Sequence, residues 1–159
     1  MKYRSDLDRS IAKKKQYKKL AQKLKKEKPK SLDEKFHQAH DDVFEEIDCL
    51  SCANCCKTTS PIFRDVDIKR LAKHLNLSEV DFIELYLTLD QEQDYVLKSS
   101  PCIFLGADNK CSVYEYRPLA CREYPHTNRK KMHQIMNLTL KNTEICPAVG
   151  RIFEQMSKS

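Results

Sequence analysis

The chain has 159 residues, of which 40% are hydrophobic and 33% charged, with two glycines, no tryptophan and a formal net charge of +6. This length predicts one domain, with an appendage where the composition changes. Two glycines are too few for the phosphate-binding loops of P-loop or dinucleotide-binding proteins, which excludes those classes.

The chain also lacks the apolar segments that direct proteins to membranes. No run of about 18 apolar residues is present, as a transmembrane helix would require. The first thirty residues contain none of the apolar centre that defines a secretory signal. We therefore expect a cytoplasmic protein with no membrane partner.

The basic charge is concentrated at the N-terminus. Residues 1–30 contain 13 Lys and Arg against 3 Asp and Glu, whereas the rest of the chain carries a net charge of −4. Apolar residues from Leu7 to Leu24 predict a basic helix that ends at Pro29. We predict a basic helical arm over 1–30 and a cysteine-cluster domain over 31–159. The arm is either solvated or contacts nucleic acid or an acidic protein.

The next helix is predicted to begin at Ser31 and to reach Ile47. Ser31 and Glu34 match a capping box, in which each side chain binds a backbone N–H group of the first turn. His37 and His40 lie on this helix. A His-x2-His pair can bind metal, but with so many thiols nearby we interpret these two as polar surface residues.

Two further helices are predicted to form a hairpin that acts as scaffold. Asp65 or Asp67 is expected to cap the first helix, and Asn76 suits its C-terminal end. Ser78 is expected to open the second helix, which places apolar residues as far as Leu89 on one face.

The C-terminal half predicts shorter elements. Residues 95–97 favour a strand, 106–110 a turn, and Pro118 the first position of a short helix. Residues 135–140 fit either a strand or a helix end, and Pro147 opens the last helix. The predicted fold is mainly α: a small irregular helical domain organised around a cysteine metal centre, with a basic N-terminal helix.

Eight cysteines are the chain's candidate chemical groups. In a reducing compartment, cysteines act as metal ligands or redox groups more often than as disulfides. We predict that all of them are ligands of one metal centre or of two adjacent ones: Cys49, Cys52, Cys55, Cys56, Cys102, Cys111, Cys121 and Cys146.

The cysteine spacing favours iron over zinc. Cys49, Cys52 and Cys55 form a Cys-x2-Cys-x2-Cys motif, which is typical of iron–sulfur ligands, and such sites often add a Cys-Pro pair like the one at Cys146. Structural zinc sites usually have two Cys-x2–4-Cys motifs, and the second is missing here. The predicted cofactor is an iron–sulfur cluster or iron, with zinc as the alternative. Cys56 is a ligand of a second metal, a free or redox thiol, or a small core residue.

Two arginines flank Cys121 and are candidates for stabilising a metal centre. Thiolate ligands leave a metal site negatively charged, and Arg117 and Arg122 would offset that charge and donate hydrogen bonds to sulfur. The alternative is a pair of surface arginines that bind Glu115 or Glu123.

Several segments together resemble the YkgJ-like cysteine-cluster family, over roughly residues 49–149. They are the CxxCxxCC motif at 49–56, PCIFL at 101–105, CSVYEYRPLACREYP at 111–125 and the Cys-Pro pair at 146–147. The resemblance implies that these cysteines chelate zinc or iron. Some members of this family are labelled iron–sulfur oxidoreductases, and flagellin lysine methylases look like distant relatives. Relatives in this family often have glycine in the first cysteine loop, where this chain has Ala53-Asn54, and Asn54 is expected to allow the turn.

Three functions remain open at this point. The first is a small iron–sulfur or iron protein with a redox or group-transfer role and a protein or redox partner. The second is a zinc-stabilised, non-catalytic interaction module whose basic arm binds nucleic acid or an acidic protein. The third is a thiol-based metal carrier. The sequence assigns no catalytic residue and leaves open whether the protein is an enzyme.

Overall fold

The computed structural model describes residues 2–158, with the exception of the Leu50 side chain, and its fold is mainly α, as predicted. Two short strands, β1 (Leu87–Leu89) and β2 (Tyr95–Leu97), pair antiparallel with Leu87 opposite Leu97. Two 3₁₀ helices span Tyr114–Tyr116 and Met132–Ile135. The α-helices in chain order are α1 (Arg4–Ala12), α2 (Lys14–Leu24), α3 (Pro29–Phe44), α4 (Cys49–Cys52), α5 (Asn54–Thr58), α6 (Asp65–His74), α7 (Glu79–Tyr86), α8 (Leu119–Glu123), α9 (Met136–Asn142) and α10 (Pro147–Ser157).

The chain forms two compact units. The first unit consists of residues 1–52 and 125–159, and the second of residues 53–124. The first unit therefore contains the N-terminal helices together with the C-terminal ones, and the second contains the β-hairpin and α5 to α8.

The core of the first unit is built from apolar stripes on α3 and α10. Phe36 and Phe153 are fully buried, and their rings meet edge to face at 6.3 Å between centroids. Gly150 lets α10 approach α1 closely, because a Cβ at this position would lie 2.2 Å from the Ser10 hydroxyl oxygen. The last helix begins with Pro147 at its first turn, as predicted, where a missing N–H group costs nothing.

The basic N-terminal segment forms two helices, α1 and α2, which are separated by Lys13. Tyr17 and Leu24 on α2 are buried in the first unit. Glu154 on α10 accepts hydrogen bonds from Lys13 at 2.5 Å and from the Tyr17 hydroxyl at 2.8 Å. Helix α2 thus has one buried and one solvated face, while the domain boundary at residue 30 stays a prediction.

The predicted start of α3 at Ser31 was wrong. The helix begins at Pro29 with Lys28 as its N-cap, and no side chain caps it. Proline is favoured in the first turn, so Pro29 starts this helix instead of ending the previous one. Asp33, inside the expected capping box, accepts hydrogen bonds from the N–H groups of Lys131 and Met132 at 2.8 Å each.

The second unit has a smaller apolar core. Its buried members come from α6, α7, the β-hairpin and the loops on either side: Phe63, Ile68, Leu71, Ala72, Phe82, Leu87, Leu97, Phe104 and Val113. Half-buried Cys102 and Cys111 pack against this core. Two of the cysteines therefore lie at the edge of its apolar packing.

The predicted helical hairpin is confirmed, with corrections at its ends. Ser78 caps α7 by accepting a hydrogen bond from the Asp81 N–H group at 3.1 Å. Asn76 follows α6 with φ of 58° and allows the N–H group of Leu77 to bind the Ala72 carbonyl oxygen at 2.9 Å, as in a Schellman motif. Leu89 belongs to β1 and not to the helix, because pairing with β2 extends the chain after Tyr86.

The remaining predictions mostly hold. The strand at 95–97 and the turn at 106–110 are confirmed, since Gly106 donates its N–H group to the Lys110 carbonyl oxygen at 2.8 Å. Pro118 is the N-cap of α8, one residue before the predicted position. Residues 135–140, which were left open, end a 3₁₀ helix and form most of α9. In the described part of the chain, no helix combines the length and apolar character needed to cross a membrane.

Candidate metal centre

The CxxCxxCC motif divides between two short helices. Cys49 and Cys52 are the first and last residues of α4 in the first unit, and Cys55 and Cys56 lie on α5 in the second unit. Ala53 between the two helices has φ of 54° and ψ of 8°, the left-handed conformation.

This turn differs from the expectation that Asn54 would provide the left-handed residue. Asn54 is the first residue of α5, and Ala53 takes the unusual angles although it has a Cβ atom. An L-residue pays a free-energy penalty in this region that glycine avoids. Within this motif, the position that favours glycine is therefore Ala53.

Four cysteines of the second unit form one electrostatic group, which we name the second cysteine set: Cys56, Cys102, Cys111 and Cys121. The backbone links two of them directly, because the Cys102 N–H group donates to the Cys56 carbonyl oxygen at 2.8 Å. The negative charges of Cys56, Cys102 and Cys111 all raise the pKa of Cys121. These thiols therefore lie close enough to influence one another.

A tight hairpin brings Cys102 and Cys111 together. Leu105 and Cys111 form an antiparallel bridge, and the N–H group of Ser112 donates to the Phe104 carbonyl oxygen at 2.8 Å. Asn109 turns the chain with φ of 64°, a conformation that asparagine tolerates. This hairpin therefore brings Cys111 back toward Cys102 across the eight residues that separate them in the chain.

Burial and mutual repulsion keep most of this set protonated. Burial, followed by the charges of the other thiolates, raises the pKa of Cys121 to about 12. Burial is also the main reason why the pKa values of Cys102 and Cys111 are raised. A bound metal cation would lower these pKa values, since it stabilises the thiolate form that binds it.

Cys56 is the exception in the second cysteine set. A hydrogen bond from the Cys55 side chain lowers the pKa of Cys56 to about 7, although burial acts in the opposite direction. Neighbouring residues on a helix point about 100° apart, an arrangement that usually separates their side chains. Their direct contact makes Cys56 the most acidic thiol for which a shift is resolved.

Arg117 provides the positive charge of this set. Its charge lowers the pKa values of Cys111 and Cys121. Its guanidinium carbon lies 3.8 Å from the centre of the Tyr114 ring, which holds the side chain in place. The Nε atom of Arg117 is buried and has no hydrogen-bond partner among the described residues. An unsatisfied donor beside a group of thiols fits a negatively charged thiolate–metal centre.

Arg122, the second arginine predicted to act on the centre, has different contacts. Its side chain is exposed and donates to the Glu115 carbonyl oxygen at 3.1 Å. A role for Arg122 at the metal centre stays a prediction.

Three cysteines of the first unit form a smaller group, which we name the first cysteine set: Cys49, Cys52 and Cys146. Cys52 and Cys146 are buried, and Cys49 is exposed. Burial raises the pKa of Cys146 to about 12, and the charges of Cys49 and Cys52 add to this shift. The backbone N–H groups of Val149 and Ala148, in the first turn of α10, partly offset it.

No three cysteine sulfur atoms of the described residues all lie within 4.8 Å of one another. Among the described residues, the one group of three His, Cys or carboxylate ligand atoms that all lie within 4.8 Å of one another is Asp90, Glu92 and Asp94. Hydrogen bonds of the β-hairpin account for that group, because the Asp90 carboxylate accepts the N–H groups of Glu92 and Asp94 at 2.9 Å each.

The histidines of α3 support the fold of the first unit. His40 Nδ1 is hydrogen-bonded to the buried Thr127 hydroxyl at 2.7 Å, and burial lowers the pKa of His40. His37 Nε2 donates to the Arg129 carbonyl oxygen at 2.8 Å. These contacts are structural, in line with the choice against a His-x2-His metal pair.

Sequence reasoning missed two residues next to this site. Asp67 was predicted as a helix cap and Arg70 was not considered, yet both contact the segment that precedes Cys121. The available signal was the spacing of Arg64, Asp67 and Arg70, three residues apart on one helix face.

Comparison with known proteins agrees with the cysteine chemistry. Residues 48–147 match the CxxCxxCC family, described as "Putative zinc- or iron-chelating domain". The uncharacterized protein MJ0661 of Methanocaldococcus jannaschii is 29% identical over 82 residues, which is 50% of this chain and 44% of that protein. No solved structure matches the chain. Since the family match covers well over half of the residues, the chain belongs to the CxxCxxCC family of zinc- or iron-chelating domains.

Proposed function

We propose that this protein holds iron, as an iron–sulfur cluster, on the second cysteine set, and that the cluster serves a redox or group-transfer reaction with a partner protein. The observation that carries the proposal is the electrostatic grouping of Cys56, Cys102, Cys111 and Cys121 beside the unsatisfied Nε of Arg117. The family supports chelation of zinc or iron.

The choice of a cluster over a single zinc ion depends on spacing. A tetrahedral zinc ion with Zn–S bonds of about 2.3 Å holds its sulfurs about 3.8 Å apart. In a four-iron cluster each thiolate binds a different iron atom, which suits more widely spaced cysteines. No three described sulfurs lie within 4.8 Å of one another, and this supports the cluster.

In this proposal Cys56, the other three cysteines of the set and Arg117 contribute differently to binding the cluster. When bound, the cluster supplies one-electron redox chemistry. Cys102, Cys111 and Cys121 must lose protons to bind it, whereas Cys56 is already partly ionised near neutral pH. Arg117 offsets the charge of the thiolates, and positive charge near a cluster raises its reduction potential. A reducing compartment such as the cytoplasm would keep these thiols available to a metal.

The test is metal and sulfide content per chain, with a visible spectrum, on protein purified without oxygen. We expect iron with matching sulfide and a brown colour that a reductant bleaches. The Cys121→Ser variant should lose this signal, and Cys146→Ser should report separately on the first cysteine set. Zinc without colour, or iron that survives Cys121→Ser, would contradict the proposal.

A second candidate function is favoured by the solvated face of α2. Lys15, Lys18, Lys19 and Lys23 are exposed and form no ion pair with any described residue, while the opposite face is buried. In this alternative, zinc stabilises a non-catalytic module whose basic helix binds nucleic acid through its phosphates.

The salt dependence of RNA and DNA binding tests this alternative. If the helix contacts phosphates, replacing these four lysines by glutamine should weaken binding and reduce the slope of log K against log salt by about 0.7–0.9 per lost contact. Glutamine at Lys69 and Lys73, which lie on α6, provides the control. Binding that is absent at low salt, or equal in both variants, would exclude nucleic acid as the partner of α2.

A further inference from the structure

A buried carboxylate on α6 organises a charged network in the second unit. Asp67 is fully buried. It accepts hydrogen bonds from the Arg64 N–H group at 3.0 Å and from the Arg64 guanidinium at 3.1 and 3.2 Å. The Arg70 guanidinium donates to the same carboxylate at 2.9 Å. A buried carboxylate needs such partners, and here two arginines provide them.

The network also holds the chain that leads to Cys121. The Asp67 carboxylate accepts the N–H group of Leu119 at 3.3 Å, in the first turn of α8. Arg70 donates to the carbonyl oxygens of Tyr116 at 3.3 Å and Arg117 at 2.9 Å. Asp67 and Arg70 therefore fix three backbone groups within four consecutive residues.

A ring contact supports the same attachment. His74, one turn beyond Arg70 on α6, stacks on Tyr116 with 3.9 Å between ring centroids and 18° between planes. The segment from Tyr116 to Leu119 is thus held against α6 by its backbone and by a side chain.

The attached segment carries two residues of the candidate site. Arg117 lies within it, and Cys121 follows two residues after Leu119. We propose that Asp67 and Arg70 are positioning residues for the second cysteine set, and that they hold Cys121 and Arg117 where a bound metal needs them. This inference rests on the proposed function, because it presumes that Cys121 is a ligand.

Arg64 provides a matched control for Arg70. Both arginines lie three residues from Asp67, both pair with its carboxylate, and their side chains are 48% and 32% exposed. Of the two, Arg70 is the one that also donates to the carbonyl oxygens of Tyr116 and Arg117. A stability effect of losing one ion pair should therefore appear in both alanine variants, and a positioning effect in one.

The experiment measures how fast the full-length protein releases metal. Protein purified without oxygen carries the proposed cluster, whose thiolate–iron bonds absorb visible light through sulfur-to-metal charge transfer. The part of this absorption that Cys121→Ser abolishes reports on the second cysteine set. Its decay after addition of excess chelator gives the release rate, and the melting temperature of each metal-free variant is recorded alongside.

We expect Arg70→Ala to speed release about 10- to 100-fold, as is typical when support of a metal ligand is lost. Arg64→Ala should stay within about twofold of the wild-type rate at a similar metal-free melting temperature. Asp67→Ala should act at least as strongly as Arg70→Ala, because it removes the acceptor of the Leu119 N–H group as well. Equal release from the two arginine variants would overturn the inference. If Cys121→Ser abolishes no absorption, the proposed function itself fails.

Discussion

The two units of this protein differ in helix length and in the apolar cores that stabilise them. The first unit contains the longest helix, α3 with 16 residues, and buries Phe36 and Phe153 completely. The second unit has short elements, of which α6 with 10 residues is the longest, and its apolar core borders Cys102 and Cys111. A unit with little regular structure gains most from a bound metal, whose binding energy becomes folding energy.

The comparison also assigns different roles to the cysteines. In the second unit the set has four thiols and its own arginine, Arg117. In the first unit the set has three, and the first turn of α10 adds its N–H groups to Cys146. We therefore expect metal to be a structural requirement of the second unit and an addition to a first unit that packs by itself.

Metal removal should produce the largest difference in stability between the two units. Binding of a structural metal by thiolates contributes on the order of 10 kcal/mol. After chelation, amides of residues 53–124 should lose their protection from hydrogen exchange, while amides of α3 and α10 keep theirs. Hydrogen exchange by mass spectrometry with and without chelator measures this. Loss of protection in both units together would show that the first also depends on metal.

The reverse experiment weakens the core of the first unit. Phe153 is fully buried, with its ring centroid 5.4 Å from that of Tyr17. Phe153→Ala should cost about 3–5 kcal/mol through lost contacts and a cavity. Denaturation followed by far-UV circular dichroism gives the stability, and elemental analysis gives the metal content.

Its counterpart is Phe82→Ala, which removes a fully buried ring from the second unit. If the units behave as described, Phe153→Ala leaves the metal signal lost in Cys121→Ser intact, whereas Phe82→Ala reduces it. The opposite pattern would contradict the division of roles.

Much of the local structure follows from the sequence because it depends on neighbouring residues. Ser78 caps α7, Asn76 closes α6, and Pro147 opens α10, each through contacts within one turn of a helix. The strand at 95–97 and the turn at 106–110 were also predictable from local composition.

The predicted helix ends were wrong where contacts between residues distant in the chain determine the structure. Pro29 fits both the end of one helix and the start of the next, and tertiary packing favours the start. Leu89 continues the apolar stripe of α7, but pairing with β2 takes it into a strand.

The candidate cysteines could be listed from the sequence, but their division into two sets could not be predicted from it. Cysteine spacing predicts the thiols as candidate ligands, yet Cys56 and Cys121 are 65 positions apart in the chain, and spacing carries no information on such pairs. The contacts of Asp67 with Leu119 and of Arg70 with Arg117 are equally remote. They follow from the packing of α6, which the sequence pattern alone does not describe.

Acid should weaken the second unit through Asp67. Burial alone would raise the pKa of this carboxyl group, but hydrogen bonds from Arg64, Arg70 and the Leu119 N–H group lower it from 3.8 to about 2. A lowered pKa stabilises the folded state above the unfolded value, and this contribution is lost as pH falls from about 4 to about 2. The shift corresponds to about 2 kcal/mol.

Urea denaturation of metal-free protein between pH 2 and pH 6 tests this linkage. Asp67→Asn should be less stable than wild type by about 2 kcal/mol at pH 6, and the difference should shrink toward pH 2. A difference that stays constant over this range would assign the loss to packing and not to the charge of Asp67.

The smallest predicted effect concerns the backbone at the start of the second unit. Ala53 is buried and left-handed, with φ of 54°. Glycine removes a penalty of about 1–2 kcal/mol for an L-residue in this region but adds freedom to the unfolded chain, which offsets about 0.4–1 kcal/mol. Ala53→Gly should therefore raise the stability by about 0.5 kcal/mol and leave the metal content unchanged.

Ala72→Gly supplies the comparison of opposite sign. Ala72 is equally buried but lies inside α6, where glycine costs about 1 kcal/mol and a methyl group is lost from the core. Urea denaturation of both variants with metal bound measures the change in the free energy of unfolding, which we expect to have opposite signs in the two. If Ala53→Gly destabilises as much as Ala72→Gly does, the turn between Cys52 and Cys55 is not strained, and the buried methyl group of Ala53 contributes more than its backbone angle costs.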